Sequence, residues 1–247
     1  MRSKIGLKLK SNYSYNFKIL KRSKNLIQFI ILHYTGMKSE KTALQRLCDP
    51  KSEVSSHYFI KKNGEVFKLV PDLYEAWHAG KSNWKNYKSL NKNSIGIEIC
   101  NPGHGNGYKK FTLLQISSLL KLWKFLKKKY NIKSNNILAH SDIAPKRKKD
   151  PGEKFPWKLL AQNNLSLWHD LKRDKTLSYR KKKITLREEK TFLKNLYKIG
   201  YTSFGKKINT NDKLYLTKAF QRRFRQELIN GKIDMECYQI SKSLLKK

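Results

Sequence analysis

Residues 140–152, HSDIAPKRKKDPG, carry one imidazole at their start, His140, and one carboxylate near their end, Asp150, in a polar stretch punctuated by Pro145 and Pro151. Proline fixes φ and stiffens such a segment. The apolar run 136–139 ahead of it delivers His140 where a buried strand meets a loop, a frequent place for ligands and catalytic groups. A second imidazole, His33, closes the apolar run 29–32, and a carboxylate, Glu98, interrupts a third run at 95–99. An ionised carboxylate inside a strand pattern is costly unless it is paired, faces a cleft or has a function. Two His and one Asp make a plausible ligand set for a catalytic zinc, with a fourth position open to a water whose pKa falls to about 7. Spacing alone does not decide for it. The chain has neither an HExxH motif nor a CxxC pair, and a lone His at a strand end is more often structural.

Five motifs in order surround these residues: FIILHYTG at 29–36, VSSHYFIKKNGEVFKLVP at 54–71, AWHAG at 76–80, NSIGIEICN at 93–101 and HSDIAPKRKKDPG at 140–152. Together they resemble the zinc-dependent N-acetylmuramoyl-L-alanine amidases, a family that also contains phage lysozyme-like amidases and peptidoglycan recognition proteins. The resemblance covers residues 25–170 and implies an α/β fold with a mixed central β-sheet flanked by helices. It implies one Zn²⁺ per chain, held by His33, His140 and Asp150. Asp in the third position places the chain with the bacterial branch, because phage and animal relatives usually carry Cys there. Relatives with Cys commonly place a catalytic Tyr where this chain has Ser56, and in the bacterial branch Glu98 fits that role. It would act as general base toward the attacking water and then as proton donor to the leaving amine. Lys148, two residues before Asp150, matches the lysine that stabilises the oxyanion, although Lys146 and Lys149 are close neighbours and any of them reads equally as a solvated lysine. His57, Trp77 and His78 are candidates to line the substrate groove, and each also reads as a packed or supporting residue.

The implied reaction is hydrolysis of the amide between the lactyl group of N-acetylmuramic acid and the L-alanine of the stem peptide, with peptidoglycan or anhydro-muropeptides as partners. A non-catalytic peptidoglycan-recognition protein is the second reading, but members of that kind typically lose a metal ligand and this chain keeps three. A nucleic-acid binder is a distant third. The formal net charge of +37 would ordinarily point to an acidic polymer, yet it is mostly lysine spread along the whole chain. No zinc finger, RRM or helix-turn-helix pattern accompanies it, so specific nucleic-acid binding is not expected.

The 247 residues are 38% apolar, enough for one large domain or two smaller ones. Cys48, Cys100 and Cys237 are far apart and odd in number, which argues against a disulfide framework. No stretch approaches 18 apolar residues, so no membrane span is expected. Residues 1–24 read as a basic extension without an apolar signal core. The expectation is therefore a cytoplasmic monomer, with the periplasm or cell envelope as the alternative if the chain is exported by another route or its start is incomplete.

The elements that must position the candidate residues follow from periodicity. Residues 25–34 read as a buried central strand, and 39–47 as a short amphipathic helix capped by Ser39. Strands at 57–61 and 66–70 flank Asn63-Gly64, the signature of a type I′ hairpin turn. Residues 71–93 read as a long surface loop whose aromatics, Trp77, Trp84 and Tyr87, form either a mini-core or a sugar and peptide platform. A strand at 94–101 precedes a flexible loop with a solvated His104. Residues 112–130 read as a long helix with a Thr112/Gln115 capping box and a core stripe of Leu113, Ile116, Leu119, Leu120, Trp123 and Leu126. Residues 155–160 read as a closing helical turn.

After residue 170 the composition changes. Residues 171–184 are charged and aperiodic, as in a linker, and 185–247 read as a small three-helix domain. Its 216–234 stretch, LTKAFQRRFRQELINGKID, is similar to the core of the three-helix peptidoglycan-binding domain, whose usual signature is an AFQ run followed by Gly and an Ile-Asp step. A helical appendage docked on the first domain is the alternative.

Overall fold

The computed structural model describes residues 8–202 and 209–247; the first seven residues of the basic extension and residues 203–208 of the C-terminal region lie outside the described residues. The chain runs through β1 (Leu9–Ser11), β2 (Phe17–Lys18), β3 (Phe29–Tyr34), α1 (Glu40–Cys48), β4 (Tyr58–Ile60), β5 (Val66–Lys68), β6 (Glu75–Ala76), β7 (Asn83–Trp84), β8 (Tyr87–Lys88) and β9 (Ser94–Ile99). It continues through α2 (Leu113–Tyr130), β10 (Ile137–Ala139), α3 (His140–Ile143), α4 (Trp157–Gln162), α5 (Arg173–Arg180), α6 (Leu186–Ile199), α7 (Thr210–Phe224) and α8 (Met235–Leu244). The result is a mixed sheet flanked by helices. Six strands lie in the order β1-β5-β4-β9-β3-β10, all parallel to their neighbours except the antiparallel pair β4 and β5.

Successive side chains on a strand face opposite sides, so a run such as FIILHY is stable only where both sides are covered. One face of the sheet sends Ile30, Leu32, Ile95, Ile97 and Ile99 against Ile116, Leu119, Trp123 and Leu126 of α2. The opposite face is shared. Phe29, Ile31, Leu138 and Ile143 join one apolar cluster with Phe192, Leu196, Tyr201, Phe220, Phe224 and Ile240 of the C-terminal helices. Ala43 and Leu47 of α1 cover Phe59, Leu69 and Cys100 further along. Full burial of each such side chain contributes about 1.5–3 kcal/mol. The three cysteines are free, and among the described residues no helix is long and apolar enough to cross a membrane.

The structure corrects several expectations. The residues before 25 are not a free extension where they are described: β1 pairs with β5, β2 pairs with β6, and the Arg22 guanidinium donates to the carbonyls of Asp72, Asn91 and Lys92. The 57–70 hairpin forms, but its turn is not type I′, because Gly64 has φ +82° whereas Asn63 has no positive φ. Gly64 N–H instead closes on the Lys61 carbonyl at 3.0 Å, with the left-handed residue placed after the turn. The 71–93 segment contains β6, β7 and β8, and its Trp84 is core, packed edge-on to Tyr201. Leu113 of the expected helix stripe is 87% exposed, in the first turn ahead of the packed face, while Leu122 is buried in its place. The expected linker holds α5, which buries Thr176 and bonds Arg180 to Glu236 of α8.

Candidate active site

Strand parity sets the site. With the isoleucines of β9 turned toward α2, its alternate residues Ser94, Gly96 and Glu98 face the other way, as does His33 on β3. The register places His33 beside Glu98, and Phe59 on Glu98's other side. On the opposite flank of β3, Ala139 pairs with Leu32, so His140 emerges next to His33. The stretch beginning at His140 opens as a helical turn rather than an irregular loop, because the Asp142 carboxylate caps back onto the Ala139 N–H at 2.8 Å. The chain then returns so that Ser141 N–H meets the Asp150 carbonyl at 3.0 Å, carrying the Asp150 carboxylate inward.

Three donor atoms converge there. His33 Nδ1 lies 2.9 Å from His140 Nδ1 and 3.0 Å from Asp150 Oδ2, and His140 Nδ1 lies 2.9 Å from that oxygen. All three residues are buried. The opposite ring nitrogens fix the tautomers. His140 Nε2 lies 3.1 Å from the Ala79 carbonyl, which only accepts, so Nε2 carries the proton and Nδ1 presents a lone pair. For His33 the chain of bonds is longer: the Ser94 hydroxyl donates to the Leu90 carbonyl at 2.6 Å, accepts from His78 Nε2 at 3.2 Å, and leaves His78 Nδ1 to accept from His33 Nε2 at 3.1 Å. Two imidazole lone pairs and a carboxylate oxygen aimed at one another repel unless a cation lies among them. This set fits a divalent metal, and its oriented imidazoles are the usual supports of such a centre.

Burial, reinforced by the neighbouring His140, lowers the His33 pKa to about 4, which keeps it neutral and able to ligate. Burial by itself would raise Asp150, but its bonds to and charge interactions with His140 and His33 outweigh that and hold it below the usual carboxylate range. Glu98 shows the reverse. Burial first, and then the Asp150 charge, push it up to about 8. Part of the residue is open to the cleft, yet its Oε2 is sealed and has no hydrogen-bond partner among the described residues.

The cleft over these groups holds about 400 Å³, and its lining includes Trp77, Glu98 and Lys148. Within the KRKK run only Lys148 lines it: Lys146 pairs with Asp212 at 2.6 Å, Arg147 donates to the Ala79 and Lys81 carbonyls, and Lys149 is exposed. Trp77 is 37% exposed at the mouth. His57 lies elsewhere. It is fully buried, accepts from Gly96 N–H at 2.9 Å through Nδ1, and places Nε2 3.0 Å from the Tyr74 carbonyl, so it braces the sheet and does not line the cleft. His78 touches the cleft but is engaged on both nitrogens, with its ring packed on Gly96. His104 is not solvated: it bonds Tyr34 Oη and Glu153 and stacks on Tyr108. Ser56 is buried with its hydroxyl on the Tyr58 carbonyl. Sequence reasoning missed Arg46, which reaches the cleft from the last turn of α1. It also missed the Ala79 carbonyl, a backbone group that no residue type signals.

Residues 23–153 match the N-acetylmuramoyl-L-alanine amidase family. The N-acetylmuramoyl-L-alanine amidase AmiD of Escherichia coli K12 is 35% identical over 233 residues, which cover 90% of this chain and 83% of that protein. The chain belongs to the N-acetylmuramoyl-L-alanine amidase family. Its reaction is hydrolysis of the amide between N-acetylmuramic acid and L-alanine. The 1,6-anhydro-N-acetylmuramyl-L-alanine amidase AmpD of Haemophilus influenzae is 34% identical over 149 residues, covering 53% of the amidase described here and 79% of that relative. The solved complex of E. coli AmiD with anhydro-N-acetylmuramic acid-L-Ala-D-γ-Glu-L-Lys superposes with a TM-score of 0.78 at 32% identity, over 93% of this amidase and 92% of that chain. Pseudomonas aeruginosa AmpDh3 gives a TM-score of 0.80 at 29% identity, over 94% and 97% of the two chains.

Proposed function

We propose that the amidase acts on peptidoglycan-derived muropeptides, anhydro-muropeptides included, with one Zn²⁺ held by His33 Nδ1, His140 Nδ1 and an Asp150 carboxylate oxygen. The observation that carries this reading is the convergence of a carboxylate oxygen with two imidazole nitrogens whose tautomers are set from behind, in a cleft also lined by Glu98, whose Oε2 has no hydrogen-bond partner among the described residues. Zinc, when bound, polarises the scissile carbonyl and acidifies the attacking water. Glu98 takes the proton of that water and returns it to the alanine nitrogen as the amide breaks. Burial raises the Glu98 carboxyl above the usual carboxylate range, which suits it to hold the proton between the two halves of that transfer. Lys148 places its cation where the carbonyl oxygen gains negative charge. Trp77 offers a flat apolar surface to the sugar or the stem peptide at the mouth of the cleft. His78, at the edge of the cleft, orients His33 through the Nε2–Nδ1 hydrogen bond.

Metal analysis of purified protein is expected to give one zinc per chain, and none in His140→Ala; a zinc-free wild type, or a fully loaded variant, would end the reading. A cytoplasmic enzyme would meet soluble recycled muropeptide, and an envelope enzyme intact wall. Mass spectrometry of digests of both substrates separates the two, with free stem peptide as the product in either.

A further inference from the structure

The AFQ signature in the C-terminal region is engaged internally. Ala219 and Phe220 lie in the apolar cluster shared with the sheet, and the fully buried Gln221 side chain accepts from Gly231 N–H and donates to the Lys232 carbonyl, both at 2.8 Å. The signature braces the helices against one another. The residues that follow it turn toward the loop that carries the metal ligands.

Arg223 is 2% exposed, and its guanidinium donates to Asp142 Oδ2 and, at 2.8 Å, to the Ile137 carbonyl. Asp142 is itself buried, two residues after His140. It also accepts from Tyr201 Oη at 2.7 Å. Strand β10, which delivers His140, and the first turn of α3 therefore both hang on one arginine. Three further contacts continue the pattern. Asp212 in the first turn of α7 pairs with Lys146, Arg222 lies 3.8 Å from Glu153, and the Gln226 amide just past the helix donates to the Glu153 and Phe155 carbonyls at 2.6 Å each. The segment bracketed by these contacts, 142–155, contains Lys148 and Asp150.

We infer that α7 is a clamp on the catalytic loop: Arg223, through Asp142, is a positioning residue for His140, and Gln226, through the backbone at 153 and 155, is one for Asp150. The C-terminal helices on this account complete the active site. Their functional consequence rests on the metal-centre reading above, whereas the clamp itself is measurable without metal.

The test uses full-length Arg223→Gln and Gln226→Ala. Hydrogen exchange across 140–155 is expected to quicken by about tenfold in each, with exchange in α2 unchanged, because the bonds lost anchor that segment and, for Arg223, the start of β10 before it, and none of them reaches α2. Zinc release to a chelator should quicken by about 10- to 100-fold, the usual effect of losing a support of a metal ligand. On a soluble muropeptide kcat should fall while KM stays near wild type, since neither residue lines the cleft. Gln226→Ala decides the matter if Arg223→Gln fails to fold, because Gln226 is only partly buried and carries no charge. Wild-type loop exchange in folded Gln226→Ala would overturn the clamp. If exchange quickens but the wild type binds no zinc and cleaves nothing, the clamp stands and the zinc reading falls.

Discussion

Replacing Gly96 with alanine would put a Cβ 2.4 Å from His78 Cγ and 2.6 Å from its Cδ2 and Nδ1. Carbon atoms make favourable contact at about 3.5 Å, so the ring must retreat by about 1 Å. A retreat of that size stretches the 3.1 Å bond between His33 Nε2 and His78 Nδ1 past hydrogen-bond range. His33 then loses the acceptor that holds its proton on the far side of the ring, and Nδ1 is no longer a committed lone pair. Loss of such a support costs about 10- to 100-fold in metal affinity, or about 1.4–2.7 kcal/mol. The strained packing separately costs about 1–3 kcal/mol of stability. Competition against a chromophoric chelator measures the first quantity, and denaturant unfolding of the metal-free protein measures the second. The decisive comparison is a double-mutant cycle: once His78→Ala has removed the ring, adding Gly96→Ala should change zinc affinity little. If Gly96→Ala binds zinc as tightly as wild type, or if the two substitutions simply add, His78 does not act through His33.

Three other outcomes are expected. Glu98→Gln should keep zinc and fold but lose about 10²- to 10⁴-fold in turnover, and Lys148→Ala should likewise lose turnover with zinc retained. Wild-type hydrolysis of a muropeptide by Glu98→Gln would make Glu98 structural. His57 should make the protein acid-labile, because burial, with help from the Arg22 charge, lowers its pKa to about 3 in the fold against about 6.5 in the unfolded chain. The unfolded state takes up the proton first, so the contribution of neutral His57 is complete above pH 6.5 and is lost as pH falls toward 3, on the order of 5 kcal/mol in all. Urea midpoints between pH 7 and 4 should therefore fall more steeply for wild type than for His57→Gln, and equal slopes would refute the assignment.

The donors His33 and His140 and the carboxylate Glu98 were legible because each is a polar residue in or beside an apolar run, and parity puts such residues on a known face; Asp150 lies in a polar stretch and was legible only through the family motif that contains it. The roles of His57 and His78 were not. Both rings meet Gly96, and which ring packs on its face and which takes its N–H depends on strands paired across long separations. β1 and β2 were hidden because strands of two or three residues are held by backbone bonds that leave little side-chain pattern. Arg222 and Arg223 were camouflaged: in a chain with 55 Lys and Arg, two more cations carry no signal until Glu153 and Asp142 are found opposite them. The helical turn at His140 was missed because its cap is a carboxylate three residues inside the turn, and Pro145 suggested irregularity throughout.

The apolar cluster shared by Phe29, Ile31, Leu138 and Ile143 with Phe220, Phe224 and Ile240 bears on how such a chain can be recombined. Wall-active enzymes invite cut-and-paste engineering, in which a catalytic segment is fused to a new targeting module at a junction. Here a junction near residue 184 would cut through a core, leaving sheet residues without their cover and a buried Asp142 without its cation. A graft would succeed only if the incoming helices brought matching bulk and an arginine at the equivalent depth.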